Sequence, residues 1–287
     1  MNLKESKYSG FALVREMMGT VPTVEKFDPS SAEFVADSLR RTGRIMFAGE
    51  GSSRIMPAKN ARRRALGWGL AANVQLEGCR QAAMYDLDDY TVLVDSNSGR
   101  TKEALALASK LKASGHREFF SLSANPDTPI EKTCVGGHVL GCGWEEAVAA
   151  TKSVVEQGLF CESILWSLAG KDMRSALSGL LVKLETALTL PVPPEVVEWA
   201  KGAHTIYFSG YNDGVAEELD PQDQRDYPPQ ERFPRGHLCR ARHRGGDAGR
   251  RHCIPRQPYG ERVRQVPLRA GRRRSAHRGH RHRENAF

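Results

Sequence analysis

The 287-residue sequence predicts an α/β fold, a three-layer αβα sandwich built on a five-stranded parallel sheet. Three observations carry this. Short, continuously apolar runs recur along residues 29–190, segments of helical periodicity separate them, and Gly- and Ser-rich turns follow the strand-like runs. Strands alternating with helices of about 10–15 residues imply parallel βαβ units, because each crossover must carry the chain back to the same end of the sheet. Strands that are apolar at nearly every position suit a sheet covered by helices on both faces.

Residues 1–28, with "FALVREMMGTVPTVEKF", read as an amphipathic N-terminal helical segment. The first domain, 29–190, opens on "PSSAEFVADSLRR", an amphipathic helix for which Ser30 or Ser31 is the expected cap. "GRIMFAGEGSS" is a buried strand running into a turn, and "RIMPAKNARRRALGWG" is the helix after it. "NVQLEG" and "YTVLVDS" are the next strands, "RTKEALALASKLKASG" a helix, "EFFSLSA" the fourth strand and "GHVLG" a short fifth. A long helix is expected over roughly 144–169, with further helices near 171–189. Residues 191–219 then start over. After "PVPP", "AHTIYFSGYNDGVAEEL" has the same order of strand, Gly turn and helix start as "GRIMFAGEGSSRIMPAKNA", so a second, incomplete copy of the domain begins here.

Charge divides the chain. Residues 1–219 hold 12 Lys, 12 Arg, 9 Asp and 18 Glu, a net charge of −3. Residues 220–287 hold 18 Arg, no Lys and seven acids, a net charge of +11. That last segment has seven Pro and only five Leu, Ile or Val, too few to offset the entropy of ordering, so it is expected to be a disordered Arg-rich tail. The six cysteines form no CxxC pair and no zinc spacing, which suits a reducing cytoplasm; no apolar run reaches the length of a membrane span. Neither a metal nor a cofactor is expected.

Open parallel sheets bind ligands beyond the carboxyl ends of their strands, which directs attention to two turns. "GEGSS" (49–53) follows the first strand and "SNSGRT" (96–101) the third, each leading into a helix. Free N–H groups, hydroxyls and small residues at a helix start favour an anion, and a phosphate is the natural guest. The candidate binding residues are Gly51, Ser52, Ser53, Ser96, Asn97, Ser98 and Thr101. Ser and Thr in such places are also ordinary caps. "SNSGRT", with three hydroxyls and an amide in six positions, exceeds what capping needs. Neither turn is a GxGxxG dinucleotide fingerprint completed by a ribose-binding acid, and neither is a P-loop.

In order and spacing, "GEGSSR", "SNSGRTKEAL" and "EEAVAATKSVVEQ" resemble the three signatures of the sugar isomerase (SIS) domain family, over residues 12–219. The nearest resemblance is to two-SIS phosphosugar isomerases and deglycases, including the isomerase part of glucosamine-6-phosphate synthase, the isomerizing glutamine–fructose-6-phosphate aminotransferase. The resemblance implies a flavodoxin-like sheet and a sugar phosphate, such as fructose 6-phosphate, as the small-molecule partner. By position it assigns Ser53 to the first loop, and Ser96, Asn97, Ser98 and Thr101 to an S-Q-S-G-x-T phosphate loop in which Asn97 replaces Gln. It assigns Val148 a backbone contact to the sugar and makes Lys152 the lysine of a T-K pair; Lys152 and Glu145 are equally read as the solvated face of a helix. It further implies a homodimer with active sites between subunits, and it puts the acid/base glutamate and ring-opening histidine in the second SIS half, so no catalytic residue is assigned here. Asn2 stands where a glutaminase would carry its cysteine, so no glutaminase is expected.

The tail has two readings. It is a basic arm for nucleic acid, or it is sequence translated out of frame: a GC-rich gene read in the wrong frame yields Arg, Pro, Gly and His with little Lys. Back-translated and read one base out, residue 220 onward permits an amphipathic helix continuing "VAEEL", then a Glu-containing turn and an "HG" segment that resemble the second SIS half. The out-of-frame reading fits the composition better. Three functions stay open at this stage: an SIS protein of the isomerase, aminotransferase or deglycase group; an SIS regulator that senses a sugar phosphate and holds DNA through the tail; and a fragment without activity.

Overall fold

The computed structural model describes residues 1–203 and 206–219. The Arg-rich segment, and every expectation attached to it, lies outside the described residues. In order the elements are α1 (Ser6–Ser9), α2 (Ala12–Met18), α3 (Thr20–Lys26), a 3-10 turn (Pro29–Ala32), α4 (Glu33–Thr42), β1 (Arg44–Gly49), α5 (Ser52–Gly67), β2 (Asn73–Glu77), α6 (Cys79–Ala82), β3 (Thr91–Asp95), α7 (Lys102–Ala113), β4 (Phe119–Ser123), α8 (Pro129–Thr133), β5 (Gly136–Val139), α9 (Lys152–Leu168), α10 (Arg174–Thr189) and α11 (Pro194–Gly202).

The five strands form one sheet in the order β2-β1-β3-β4-β5, and all four pairings are parallel. Side-chain alternation divides the core into two layers. Ile45 and Phe47 of β1, Leu93 of β3, and Phe120 and Leu122 of β4 pack with α4, α5 and α9, whereas Met46, Ala48, Val92, Val94 and Phe119 pack with α6, α7 and α8. β3 is buried at every position because both faces are covered, which is why its sequence lacks any polar alternation before Asp95. This is the expected αβα sandwich.

Two local expectations need correction. The N-terminal helix is divided at Gly19 into α2 and α3, since Pro22 has no N–H to bond the Met18 carbonyl. The helix at 29–42 is capped by neither Ser30 nor Ser31. Asp28 takes that place, accepting from the Ser30 N–H at 3.1 Å and its hydroxyl at 2.6 Å, because a tight 3-10 turn begins at Pro29, upstream of both serines. Within 191–219 the described residues hold α11 and, at Tyr207, an isolated bridge. No single helix among the described residues is long and apolar enough to cross a membrane.

The closest helix pairing is α5 on α9, with Gly158 opposite Met56. A Cβ on Gly158 would come within 3.2 Å of the methionine methyl, so a larger residue there would require the Met56 side chain to shift. Glu162 ties the same pair together. Its carboxylate accepts from Asn60, from Arg64 at 2.9 and 3.0 Å, and from the Trp166 indole N–H at 3.2 Å, and only 9% of its side chain is exposed. Glu162→Ala strands these donors. Because the Arg64 side chain keeps 34% exposure, we expect a loss of about 2 kcal/mol, measured by urea unfolding, with less than about 0.5 kcal/mol counting against the network.

Candidate functional site

Strand order reverses between β1 and β3. From β1 the chain crosses to β2 on one side, and from β3 it crosses to β4 on the other, so the loops leaving the two strands diverge and open a crevice. A cleft of about 250 Å³ lies there, lined by Glu50, Ser52 and Ser53 after β1, by Asn97, Ser98 and Thr101 after β3, by Ala124 and Asn125 after β4, and by Trp144, Glu145, Ala147, Val148, Ala150, Ser153 and Gln157.

Glycine makes both loops possible. Gly51, the residue before α5, has φ +57° and ψ −132°, a conformation closed to residues with a Cβ. Gly99 has φ +62°, and a Cβ there would come within 2.4 Å of the Thr128 side chain. Its N–H donates to the Ser96 carbonyl at 2.8 Å, closing a tight turn that leads into α7. Neither α5 nor α7 has a side-chain cap, so first-turn N–H groups of both helices lack intrahelical acceptors.

The hydroxyls are oriented by their neighbours. Ser96, buried beneath the loop, donates to Thr101 Oγ1 at 2.9 Å, which leaves the Thr101 hydrogen available to a guest. Ser98 Oγ accepts from the Arg100 N–H at 3.2 Å and likewise keeps its hydrogen. The Asn97 carbonyl takes the Ala124 N–H at 3.0 Å and Asn125 Nδ2 at 3.2 Å, fixing the loop on the end of β4. Two buried atoms on this lining, Ser52 Oγ and Asn97 Oδ1, have no protein partner. Such atoms are rare enough in folded proteins that they mark a place for a polar ligand or water.

Under the cleft, Gln157 of α9 joins the ends of β1 and β3. Its Nε2 donates to Asp95 Oδ1 at 3.0 Å and to Ser53 Oγ at 3.2 Å. Burial pushes the Asp95 carboxyl far above the ordinary carboxylate range, and a hydrogen bond with Ser53 offsets only part of this. Asp95 Oδ2 has no partner. The cleft lining contains two carboxylates, Glu50 and Glu145, and no cation. Glu50 Oε1 is turned onto the Cys79 N–H at 2.8 Å. An anion in this cleft would therefore be held by N–H groups, hydroxyls and helix dipoles.

Three carboxylates shape the remaining wall. Glu145 accepts from the Thr151 N–H at 2.9 Å, from its hydroxyl at 2.6 Å, and from the Ser153 hydroxyl. Glu16 accepts from the N–H groups of Glu146 and Ala147. Glu156 accepts from those of Gly141 and Cys142 at 2.8 and 2.7 Å. This corrects the helix expected over 144–169. α9 begins only at Lys152; the residues before it form an irregular segment in which Glu145 holds Thr151 and Glu16 holds the N–H groups of Glu146 and Ala147.

Of the sequence-predicted residues, Ser52, Ser53, Asn97, Ser98, Thr101 and Val148 line one cleft, while Gly51 and Ser96 shape it without lining it. Val148 sits on the rim with 74% exposure. Lys152 lies elsewhere, in a separate hollow with Gly19, Pro22, Lys26, Cys142 and Glu156. As the first residue of α9 it projects on a different side from Ser153 and Gln157. Sequence reasoning passed over Asp95, Gln157, Glu50, Asn125 and Trp144. Gln157 did carry a signal: it interrupts the buried stripe Val154, Cys161, Ile164 and Leu165 at helical spacing. Among the described residues, no group of three or more His, Cys, Asp or Glu is placed to hold a metal ion.

No family model matches the sequence, and no curated protein matches it. Solved structures do match. A candidate phosphosugar isomerase from Silicibacter pomeroyi DSS-3 is 24% identical with a TM-score of 0.55, the match covering 65% of this chain and 59% of that one. A candidate phosphosugar isomerase from Bacillus subtilis is 19% identical with a TM-score of 0.52, covering 69% and 63%. The chain has the fold of these proteins. It spans less than two thirds of the length of either.

Asp95 generates a stability prediction. With its folded pKa raised, the unfolded chain gives up this proton first, so the folded state loses stability as pH climbs from the unfolded value of about 4 toward the folded one. Asp95→Asn removes that loss. The melting temperature of the variant relative to the parent should rise steadily between about pH 4 and pH 7. A difference that stays constant across that range contradicts the buried, protonated carboxyl.

Proposed function

We propose that this chain is a phosphosugar-binding member of the SIS family, and that the cleft at the switch point holds the sugar's phosphoryl group. The observation that carries the reading is convergence. Two uncapped helix starts and five hydroxyls face one crevice between the ends of β1 and β3, and two buried polar atoms on its lining, Ser52 Oγ and Asn97 Oδ1, lack partners. The motif order and the fold neighbours support it.

Within the family, the isomerase, isomerizing aminotransferase or deglycase group suits the chain better than a regulator. Its N-terminal residues form α1, α2 and α3, packed as the opening of the domain, and their sequence does not resemble a helix-turn-helix. We assign this half the binding of the phosphate and leave the proton transfers to residues of a second half. In this reading residues 29–190 are the first SIS domain, 191–219 begin the second, and 220–287 are read out of frame; the gene sequence around codon 219, read in three frames, decides that last point. We further infer a cytoplasmic homodimer, supported by Val182, Leu190 and Val192, which α10 and the segment after it leave exposed.

Calorimetric titration of the full chain with fructose 6-phosphate tests the binding. Saturable binding is expected, weakened at least about tenfold in Thr101→Val and in Ser98→Ala, the cost of one hydrogen bond to a charged group. Unchanged affinity in both variants would remove the phosphate from this loop.

A further inference from the structure

The junction beneath the cleft has a hydrogen count that restricts what Ser53 presents to a guest. Both hydrogens of the Gln157 amide are committed, one to Asp95 Oδ1 and one to Ser53 Oγ. Ser53 Oγ therefore already accepts, and its own hydrogen has two destinations: upward into the cleft, which Ser53 lines, or toward the Asp95 carboxyl, with which it also interacts. Asp95 Oδ2 is buried without a partner, in a residue only 4% exposed.

We propose that Asp95 is a positioning residue whose protonated form turns the Ser53 hydroxyl hydrogen into the cleft, so that binding of an anion there is coupled to uptake of one proton at Asp95. The inference rests on the phosphate reading above and deepens it. When Asp95 carries its proton, the carboxyl is neutral beneath the guest and does not compete for the Ser53 hydrogen. When Asp95 is ionised, the carboxylate draws that hydrogen downward. The cleft then loses a donor, faces a serine lone pair, and has a negative charge under its floor. Each change disfavours an anion, and at low dielectric the charge is screened little by water.

The surroundings leave Asp95 as the group that responds. The ionisable groups facing it from packed elements are the Cys79 thiol of α6, pushed up to about 12 mainly by burial, and the Cys161 thiol of α9, also pushed well up by burial. Both stay neutral near neutral pH. Glu50, at the end of the adjoining strand, is engaged with the Cys79 N–H. No ion pair among the described residues includes Asp95.

The test titrates fructose 6-phosphate into the full chain and into its Asp95→Asn variant from about pH 6 to pH 9, a range that begins where the sugar phosphate approaches its dianion. Asparagine keeps an oxygen for Gln157 and cannot ionise. The ratio of parent to variant Kd should sit near one at low pH and climb by about tenfold per unit once Asp95 titrates. Repeating the parent titration above about pH 7.5 in buffers of different ionisation enthalpy should show proton uptake, a readout that stands even if the variant fails to fold. Gln157→Met, which removes the donor that holds the Ser53 oxygen and the Asp95 carboxyl in place, should weaken binding at every pH. Saturable binding with parallel pH profiles, or without proton uptake, overturns this inference and leaves the phosphate reading intact. No saturable binding by the parent overturns both.

Discussion

One buried amide holds the described part of this molecule in register with its cleft. Gln157 reaches from α9 to the end of β3 through Asp95 and to the start of α5 through Ser53, so three elements that are distant in sequence meet on a single nitrogen. Without that junction, α9 would meet the ends of β1 and β3 through apolar contacts, which specify proximity more loosely than hydrogen bonds specify geometry. With it, the loops after β1 and β3 are held side by side at the point where strand order reverses. The arrangement carries a cost, because a carboxyl is buried with one oxygen unpartnered. A cost of that kind at a strand end, next to a concave polar surface, is the usual mark of a site kept for function over stability.

The wall opposite the two loops follows from the same logic. Residues 141–151 form no regular element next to β5, and five of their N–H groups are held by side chains: Glu16 from α2, Glu145 from within the segment and Glu156 from α9. The result is a fixed irregular segment that brings Trp144, Ala147 and Val148 to the cleft, where a continuous helix would have turned most of them away.

Much of this was legible in the sequence for identifiable reasons. The five strands read correctly because a sheet covered on both faces demands uninterrupted apolar runs, as in "TVLVD" and "IMFAG". The two loops read correctly because glycine beside hydroxyls at a strand-to-helix junction is a backbone requirement that composition makes visible. The failures have one source. The start of α9, the cap at Asp28 and the place of Lys152 all depend on where a side chain reaches in space, and periodicity carries no such information. "EEAVAATKSVVEQ" has helical spacing throughout, yet Glu145 binds residues six and eight positions ahead and the helix starts only at Lys152. Asp95 escaped notice because one acid at a strand end looks like the strand reaching solvent, whereas it is buried beneath the loop.

The central claim is that the crevice between the ends of β1 and β3 receives a phosphoryl group. A crystal structure of the chain with bound fructose 6-phosphate tests it most directly. The account predicts phosphorus density within hydrogen-bonding distance of Ser98, Thr101 and the first N–H groups of α7. Phosphate density in the hollow beside Lys26 and Lys152, with the crevice holding only water, would contradict it.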